Sequence, residues 1–324
     1  MKPDLIYYTK PYTNFLIELL EATDETISTS QQTPLETRLP LLVKDGPLGR
    51  VANSLPFYGS HGGPYSIAGT LKERIEVLKS LERRIDDDYY ASVTIIENPF
   101  DCLTKHELAV LKNLEIVDTR ISQVTHWDAE EVPTESMLLD LFHPKTRNAV
   151  RKGLNRIADV NDCTDDKSAV DFLIAEHQRS ISLLGGIPKS SDVFALLQKH
   201  LNQNLKVYGA YSPKGELGAA LLTLEHGETV EYFTPIVHPN FRESQMLSGL
   251  IFSTMYNRFQ SGFKAWNWGG TWQSQEGVYR FKSRFGSTNR VYRYFNWCDA
   301  RIKASTPEEL LGNYPYCYVR NFIS

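Results

Sequence analysis

The chain has 324 residues, 41% hydrophobic and 23% charged, which is ordinary globular composition and length enough for two domains of about 150 residues. Its formal net charge of −4 supplies no global positive field, so a dedicated DNA binder is disfavoured and any polyanion has to be met by a local basic patch. Cys102, Cys163, Cys298 and Cys317 are far apart and form no C-x-x-C pair, and no secretory apolar region follows Met1; neither a disulfide framework nor a zinc knuckle is expected, and the reducing cytoplasm is the expected location.

In chain order, residues 4–9 read as a strand. LPLLVKDGPLGRVANSLPFYG reads as a hairpin, with a turn at Lys44-Asp45-Gly46-Pro47 and a second strand near 50–57. Thr70 and Glu73 have the spacing of a capping box, and Ile75, Leu78 and Leu81 follow at helical intervals, so a helix is predicted over 71–85. YASVTIIENP is a strand ended by Pro99, 104–113 a short helix, and VDTRISQVTHW a strand. A basic helix is expected over 135–158: Val150, Leu154 and Ile157 form its apolar stripe, Arg147 and Arg151 flank the stripe, and Lys145, Lys152 and Arg156 fall on the solvated side.

Helices follow at 166–183 and 191–203, then three strands with turns at Pro213-Lys214-Gly215 and His226-Gly227. A helix over 244–261 closes at Gly262. Its apolar residues run LSGLIFSTMY at 247–256, well short of the roughly 20 that cross a bilayer, so membrane contact is at most peripheral. FKAWNWGG and RVYRYFNW are the last strands. Mixed strands, a helix and a strand thus occur twice, which predicts a mixed α/β fold with domains at 1–160 and 161–324.

Three stretches in fixed order give a resemblance. LPFYGSHGGP after a hairpin, TRNAVRKG opening a basic helix, and YFTP followed by a helix, WNWGGT and GVYRFKSRFG resemble the Fem family of aminoacyl ligases and related acyltransferases, over roughly 45–290. The resemblance implies tandem GNAT-like domains, the first completed by the C-terminal tail, and transfer of an acyl or aminoacyl group to an amine. It implies a donor that is acyl-CoA or aminoacyl-tRNA, no tightly bound cofactor, and a small or lipid-linked amine acceptor such as a peptidoglycan peptide or a surface-glycan amino sugar. Two departures stand out. Arg242-Glu-Ser-Gln-Met-Leu247 keeps the arginine of a CoA-diphosphate loop but neither glycine, and no sustained heptads supply the helical hairpin of some Fem ligases.

In the family the Phe-Lys pair lies at the catalytic centre, which maps onto Phe281 and Lys282. Val278, Phe281 and Phe285 form an apolar helical face with Gly286 as the stop and Lys282 at its border; read as a strand, Arg280, Lys282 and Arg284 share one side. The short helix is preferred. A lysine there either steadies an oxyanion or snorkels, its stem over the aromatics and its head in water. Tyr232 either orients substrate or is a buried tyrosine, and Glu231 points to the opposite sheet face. Trp268 and Thr271 end a strand beside the site, and Arg242 at a helix start suits a phosphate, as do Arg147 and Arg151. In GSHGGP, Gly59, Gly62 and Gly63 permit an anion nest beside His61; a plain loop with a packed histidine is the other reading.

His106-Glu107 lacks the second histidine of a zincin, no G-x-S-x-G elbow occurs, and the eight histidines form no metal cluster. Two functions remain: an N-acyl- or N-aminoacyltransferase of envelope assembly, with Lys282 and Tyr232 catalytic, or a non-catalytic double-GNAT module that binds carbohydrate or a partner protein.

Overall fold

The computed structural model describes residues 5–29, 37–57, 61–66 and 69–320. Where a strand was expected at the start, a 3-10 turn at Ile6–Tyr8 leads into α1 (Lys10–Leu20). Thr9 accepts from the Tyr12 amide as a cap, Pro11 sits in the first turn where its missing N–H is harmless, and Tyr12, Phe15, Leu16 and Leu20 form a buried helical stripe. After the short strands β1 (Thr23–Asp24), β2 (Ile27–Ser28) and β3 (Arg38–Leu39), the hairpin β4 (Leu42–Gly46) and β5 (Gly49–Asn53) pairs Gly46 with Gly49. The turn therefore lies at Pro47-Leu48. β5 stops at Asn53 rather than 57, because Leu55 and Phe57 adopt left-handed backbone (φ 54° and 64°) that no strand accommodates.

α2 (Leu71–Asp86) opens with the expected capping box: the Thr70 amide donates to Glu73 Oε2 (2.7 Å) and the Glu73 amide to Thr70 Oγ1 (3.3 Å). Thr70→Ala is expected to cost about 1 kcal/mol in urea denaturation; an unchanged midpoint would show the cap to be energetically idle. β6 (Ser92–Ile96) follows, and the helix expected over 104–113 is the single turn α3 (Lys105–Leu108). After β7 (Glu115–His126), the helix expected over 135–158 is broken into α4 (Glu135–Asp140) and α5 (Pro144–Leu154). Pro144 cannot continue a preceding turn, and His143 Nδ1 instead accepts the Lys145 amide (3.2 Å) to start a new helix.

Then come β8 (Asp159–Asp162), α6 (Lys167–Leu183), α7 (Ser191–Leu201), β9 (Leu205–Tyr211), β10 (Leu217–His226) and β11 (Thr229–Val237). α8 (Met246–Gln260), β12 (Ala265–Trp272), α9 (Glu276–Ser283), β13 (Thr288–Cys298), α10 (Ala300–Ala304) and α11 (Pro307–Asn313) complete the chain.

Two compact units result, one from Tyr7–Ser122 with Arg290–Ser324 and the other from Gln123–Asn289. In the first, strands run in the order β1-β4-β5-β6-β13-β7, and α2 lays Val77, Leu78, Leu81 and Ile85 against Val93 and Ile95. The C-terminal tail closes this unit: the Tyr318 amide donates to Asn53 Oδ1 (2.6 Å), and Asn53 Nδ2 returns a bond to the Tyr318 carbonyl (2.8 Å).

In the second unit the end of β7 is followed by β12-β11-β10-β9-β8. α8 packs Leu250, Ile251, Met255 and Phe259 on Leu221, Val230, Trp266 and Trp268. Each such aliphatic or phenyl side chain contributes roughly 1.5–3 kcal/mol of burial. α5 crosses α8 with Gly153 against Gln245 and Gly249, so closely that a Cβ on Gly153 would lie 2.3 Å from the Gln245 carbonyl oxygen.

Candidate functional site

β11 and β12 pair in parallel from Thr229↔Ala265 to Glu231↔Asn267, and both strands then continue. The turn of β12 away from regular extension has a local cause. Asn267 Oδ1 accepts the Gly269 amide (2.9 Å), and Gly269 takes φ +71°, a conformation that favours glycine, with nothing within 4 Å of where a Cβ would be. Asn267 is itself fixed, donating from Nδ2 to the buried Glu231 (3.2 Å). Glu231 thus lies on the sheet face opposite Tyr232, as strand alternation requires.

Lys282 reaches this strand end from α9. The lysine is 7% exposed, and its Nζ donates to the Gly270 carbonyl (3.1 Å) and Thr271 Oγ1 (2.9 Å). An ammonium has three N–H groups, so two neutral acceptors leave one for a further partner. Burial pushes its pKa down to about 8, because a charge removed from water is disfavoured. The snorkelling reading thus gives way to a buried head group.

The rest of the unit holds α9 in place. Thr125 Oγ1 on β7 donates to the Phe285 carbonyl (2.9 Å) and accepts the Trp268 indole N–H (2.9 Å), while Gln123 Nε2 donates to the Tyr279 carbonyl (3.2 Å) and to Ser287 Oγ (3.3 Å). Trp268 is buried and meets Phe281 edge-on at 6.3 Å and Tyr232 at 4.9 Å. Burial raises the Tyr232 phenol well above its ordinary range, so it stays protonated at every working pH and acts as a donor.

Lys282, Thr271, Phe281, Trp268 and Tyr232 therefore gather where β11 and β12 end their pairing. The other sequence-derived candidates lie elsewhere. Arg242 is exposed, and the Gln245 amide and side-chain amide both donate to its carbonyl. Arg147 faces Asp140 at 3.4 Å, and Arg151 is exposed. His61, in the first unit, is buried with its ring stacked on Tyr7 (4.6 Å) and on Phe100 (5.8 Å), and burial lowers its pKa to about 3, so it is a neutral packed ring. The nest reading of GSHGGP also fails at Gly62: its amide donates to the Ile96 carbonyl (3.0 Å), and a Cβ there would overlap Ser54. Gly59 lies outside the described residues.

Lys145, assigned by periodicity to the solvated side, is exposed as expected and edges a surface cavity of about 370 Å³ with Arg280 and Arg284. Thr125 and Gln123 escaped sequence reading because each acts through partners far along the chain, and Asn267 because its bond to Glu231 spans 36 positions. Among the described residues no group of three His, Cys, Asp or Glu is placed to hold a metal ion, and no helix is long and apolar enough to cross a membrane.

No family model and no curated protein matches the sequence. Solved structures do match the fold. FemX superposes with a TM-score of 0.70 at 12% identity, covering 95% of this chain and 94% of that one. The C-terminal domain of a putative lysylphosphatidylglycerol synthetase from Agrobacterium fabrum gives 0.56 at 10% identity, with 96% and 93% covered. L-PGS from Bacillus licheniformis gives 0.51 at 14%, with 93% of each chain covered. Such identities bear on architecture alone, and over nearly the whole length that architecture is shared: this chain has the fold of FemX.

Proposed function

We propose that the protein is an N-acyltransferase that joins an acyl or aminoacyl group to an amine of a cell-envelope precursor, with Lys282 as the catalytic cation. The observation that carries this reading is a buried ammonium held by two neutral oxygens beside Gly269, with one N–H left over. The fold shared with FemX, and with a protein whose name couples a lysyl group to phosphatidylglycerol, supports the same chemistry class. Peptidoglycan peptides and surface-glycan amino sugars are the amine acceptors that the resemblance to the Fem family implies.

In this reading the acceptor nitrogen, as a free amine, attacks the donor carbonyl, forming the C–N bond and placing negative charge on the carbonyl oxygen. Lys282 donates to that oxygen, an interaction stronger in the transition state than in the ground state. The intermediate collapses with cleavage of the C–O bond of an aminoacyl ester or the C–S bond of a thioester. The departing oxygen or sulfur takes a proton from Lys282, and the excess proton of the new amide nitrogen restores the ammonium. Tyr232, protonated throughout, orients the substrate, while Trp268, Phe281 and Thr271 wall the site.

Mass spectrometry of muropeptides, surface glycans and lipids from a strain without the protein tests the assignment. One species is expected to lose the mass of a single acyl or aminoacyl group, restored by wild-type protein and not by Lys282→Met. Unchanged masses in all three fractions would favour a non-catalytic module.

A further inference from the structure

α2 ends in a left-handed turn. Asp87 is its C-cap, and Asp88 takes φ 52°, a conformation that aspartate tolerates better than most residues. The Tyr89 amide thereby returns to the Arg84 carbonyl (3.0 Å), which brings Arg84, Asp87 and Tyr89 together. Glu25 and Thr26, between β1 and β2, complete the lining, with the Glu25 amide tied to the Leu41 carbonyl (2.8 Å). These five residues enclose a cavity of about 330 Å³ in the first unit, near the lower end of the roughly 300–1,000 Å³ of small-ligand sites.

Tyr89 is 47% exposed, yet its ring is held in place: the Arg50 guanidinium covers one face at 4.3 Å, and Tyr90 meets it edge-on at 4.9 Å. An aromatic ring fixed from behind is a stacking surface that loses little freedom when a ligand arrives. The charges around it balance. Glu25 accepts from Arg50, from Arg84 (3.4 Å) and from the Tyr90 hydroxyl (3.1 Å), so both of its oxygens are occupied and it is no metal ligand. Glu25 and Asp87 offset Arg84 and Arg50, which leaves no net charge to select a phosphate or a cation. Hydrogen-bonding capacity remains. Arg84 uses only Nη1, on Glu25 and Tyr90, and keeps Nε and Nη2 as donors. Thr26 commits its hydroxyl proton to Asp24 Oδ1 (2.6 Å) and presents lone pairs, as does the exposed Asp87 carboxylate.

We infer that this cavity binds a neutral pyranose sugar, with its C–H face on Tyr89 and its hydroxyls shared among Arg84, Asp87 and Thr26. The C–H hydrogens of such a ring carry partial positive charge and meet the negative π face of the tyrosine. Hydroxyls both donate and accept, and so match a lining that mixes one donor group with two acceptors. A nucleobase, apolar on both faces, would be stacked on one side only. The inference stands apart from the acyl-transfer reading and gives the first unit, which contains none of the residues gathered around Lys282, a glycan-recognition site of its own.

Saturation-transfer NMR and calorimetry of the full-length protein with glucose, galactose, mannose, N-acetylglucosamine and N-acetylgalactosamine test it. At least one is expected to bind with a Kd of about 1 mM, with saturation strongest on its ring C–H protons. Tyr89→Ala should weaken that binding about 10-fold or more, whereas Tyr89→Phe should keep it, because the contact is the ring and not the hydroxyl. Asp87→Ala, at an exposed position that leaves the ring in place, should weaken it about 3-fold or more. Lys282→Met is expected to bind sugar as the wild type does, so this site and the catalytic assignment fail separately. Saturable binding by none of these sugars, binding unchanged in Tyr89→Ala or Asp87→Ala with native circular dichroism, or equal saturation of adenosine or putrescine overturns the inference.

Discussion

Lys282→Met is expected to slow acyl transfer about 10²- to 10³-fold and, at neutral pH, to stabilise the fold. The two effects have one origin, the burial of an ammonium. With its pKa at about 8 against an ordinary 10.5, the charged lysine destabilises the folded state by about 3 kcal/mol at pH 7, at 1.36 kcal/mol per pKa unit. Losing the bonds to Gly270 and Thr271 subtracts about 1 kcal/mol or more from the gain on substitution, which leaves a net advantage of about 1–2 kcal/mol for the methionine variant.

The sign follows from proton binding. Below pH 8 the lysine is charged in both states, so the penalty on the folded chain is complete; it shrinks from pH 8 to 10.5, where the unfolded chain still holds its proton, and vanishes above. Urea denaturation at pH 7 and 10.5 checks this: the variant's advantage should be present at the first and small at the second. Transfer by the wild type should fall with rising pH through an alkaline limb near 8, as the oxyanion donor loses its charge. Wild-type turnover by the variant would remove Lys282 from the mechanism.

Gly153→Ala is expected to destabilise the second unit by about 2 kcal/mol, although alanine is the better helix former by about 1 kcal/mol. A Cβ on Gly153 meets the Gln245 carbonyl oxygen at 2.3 Å and the Gly249 amide nitrogen at 2.9 Å. Both neighbours are backbone atoms of α8, which cannot rotate away as a side chain can, so α5 has to lift from α8. Overpacking of this kind costs roughly 1–3 kcal/mol and at times more, which outweighs the propensity gain. Thermal unfolding decides between the terms: a raised midpoint would show that the crossing is loose.

Short-range physics was legible in the chain. The Thr70 and Glu73 box, the reversal of the β4–β5 hairpin, and α9 with its stop at Gly286 (φ +73°) are each specified by residues within a few positions of one another. The family resemblance added Lys282, which periodicity alone left at the border of an apolar face. Residue pattern misassigned what one local event could reverse: Pro144 breaks the run after Asp140 and restarts a helix, and left-handed Leu55 ends a strand.

Caps and turn residues thus determined by themselves where α2 starts, where the β4–β5 hairpin reverses and that α9 is a helix, because those preferences arise from neighbouring backbone groups. Only the tertiary structure decided that Lys282 loses its water, that Asn267 bends β12 while bonded to Glu231, that Thr125 and Gln123 hold α9 from β7, and that His61 is packing. Desolvation and long-range hydrogen bonds depend on residues brought together across separations such as the 265 positions between Asn53 and Tyr318, and no local pattern encodes that distance.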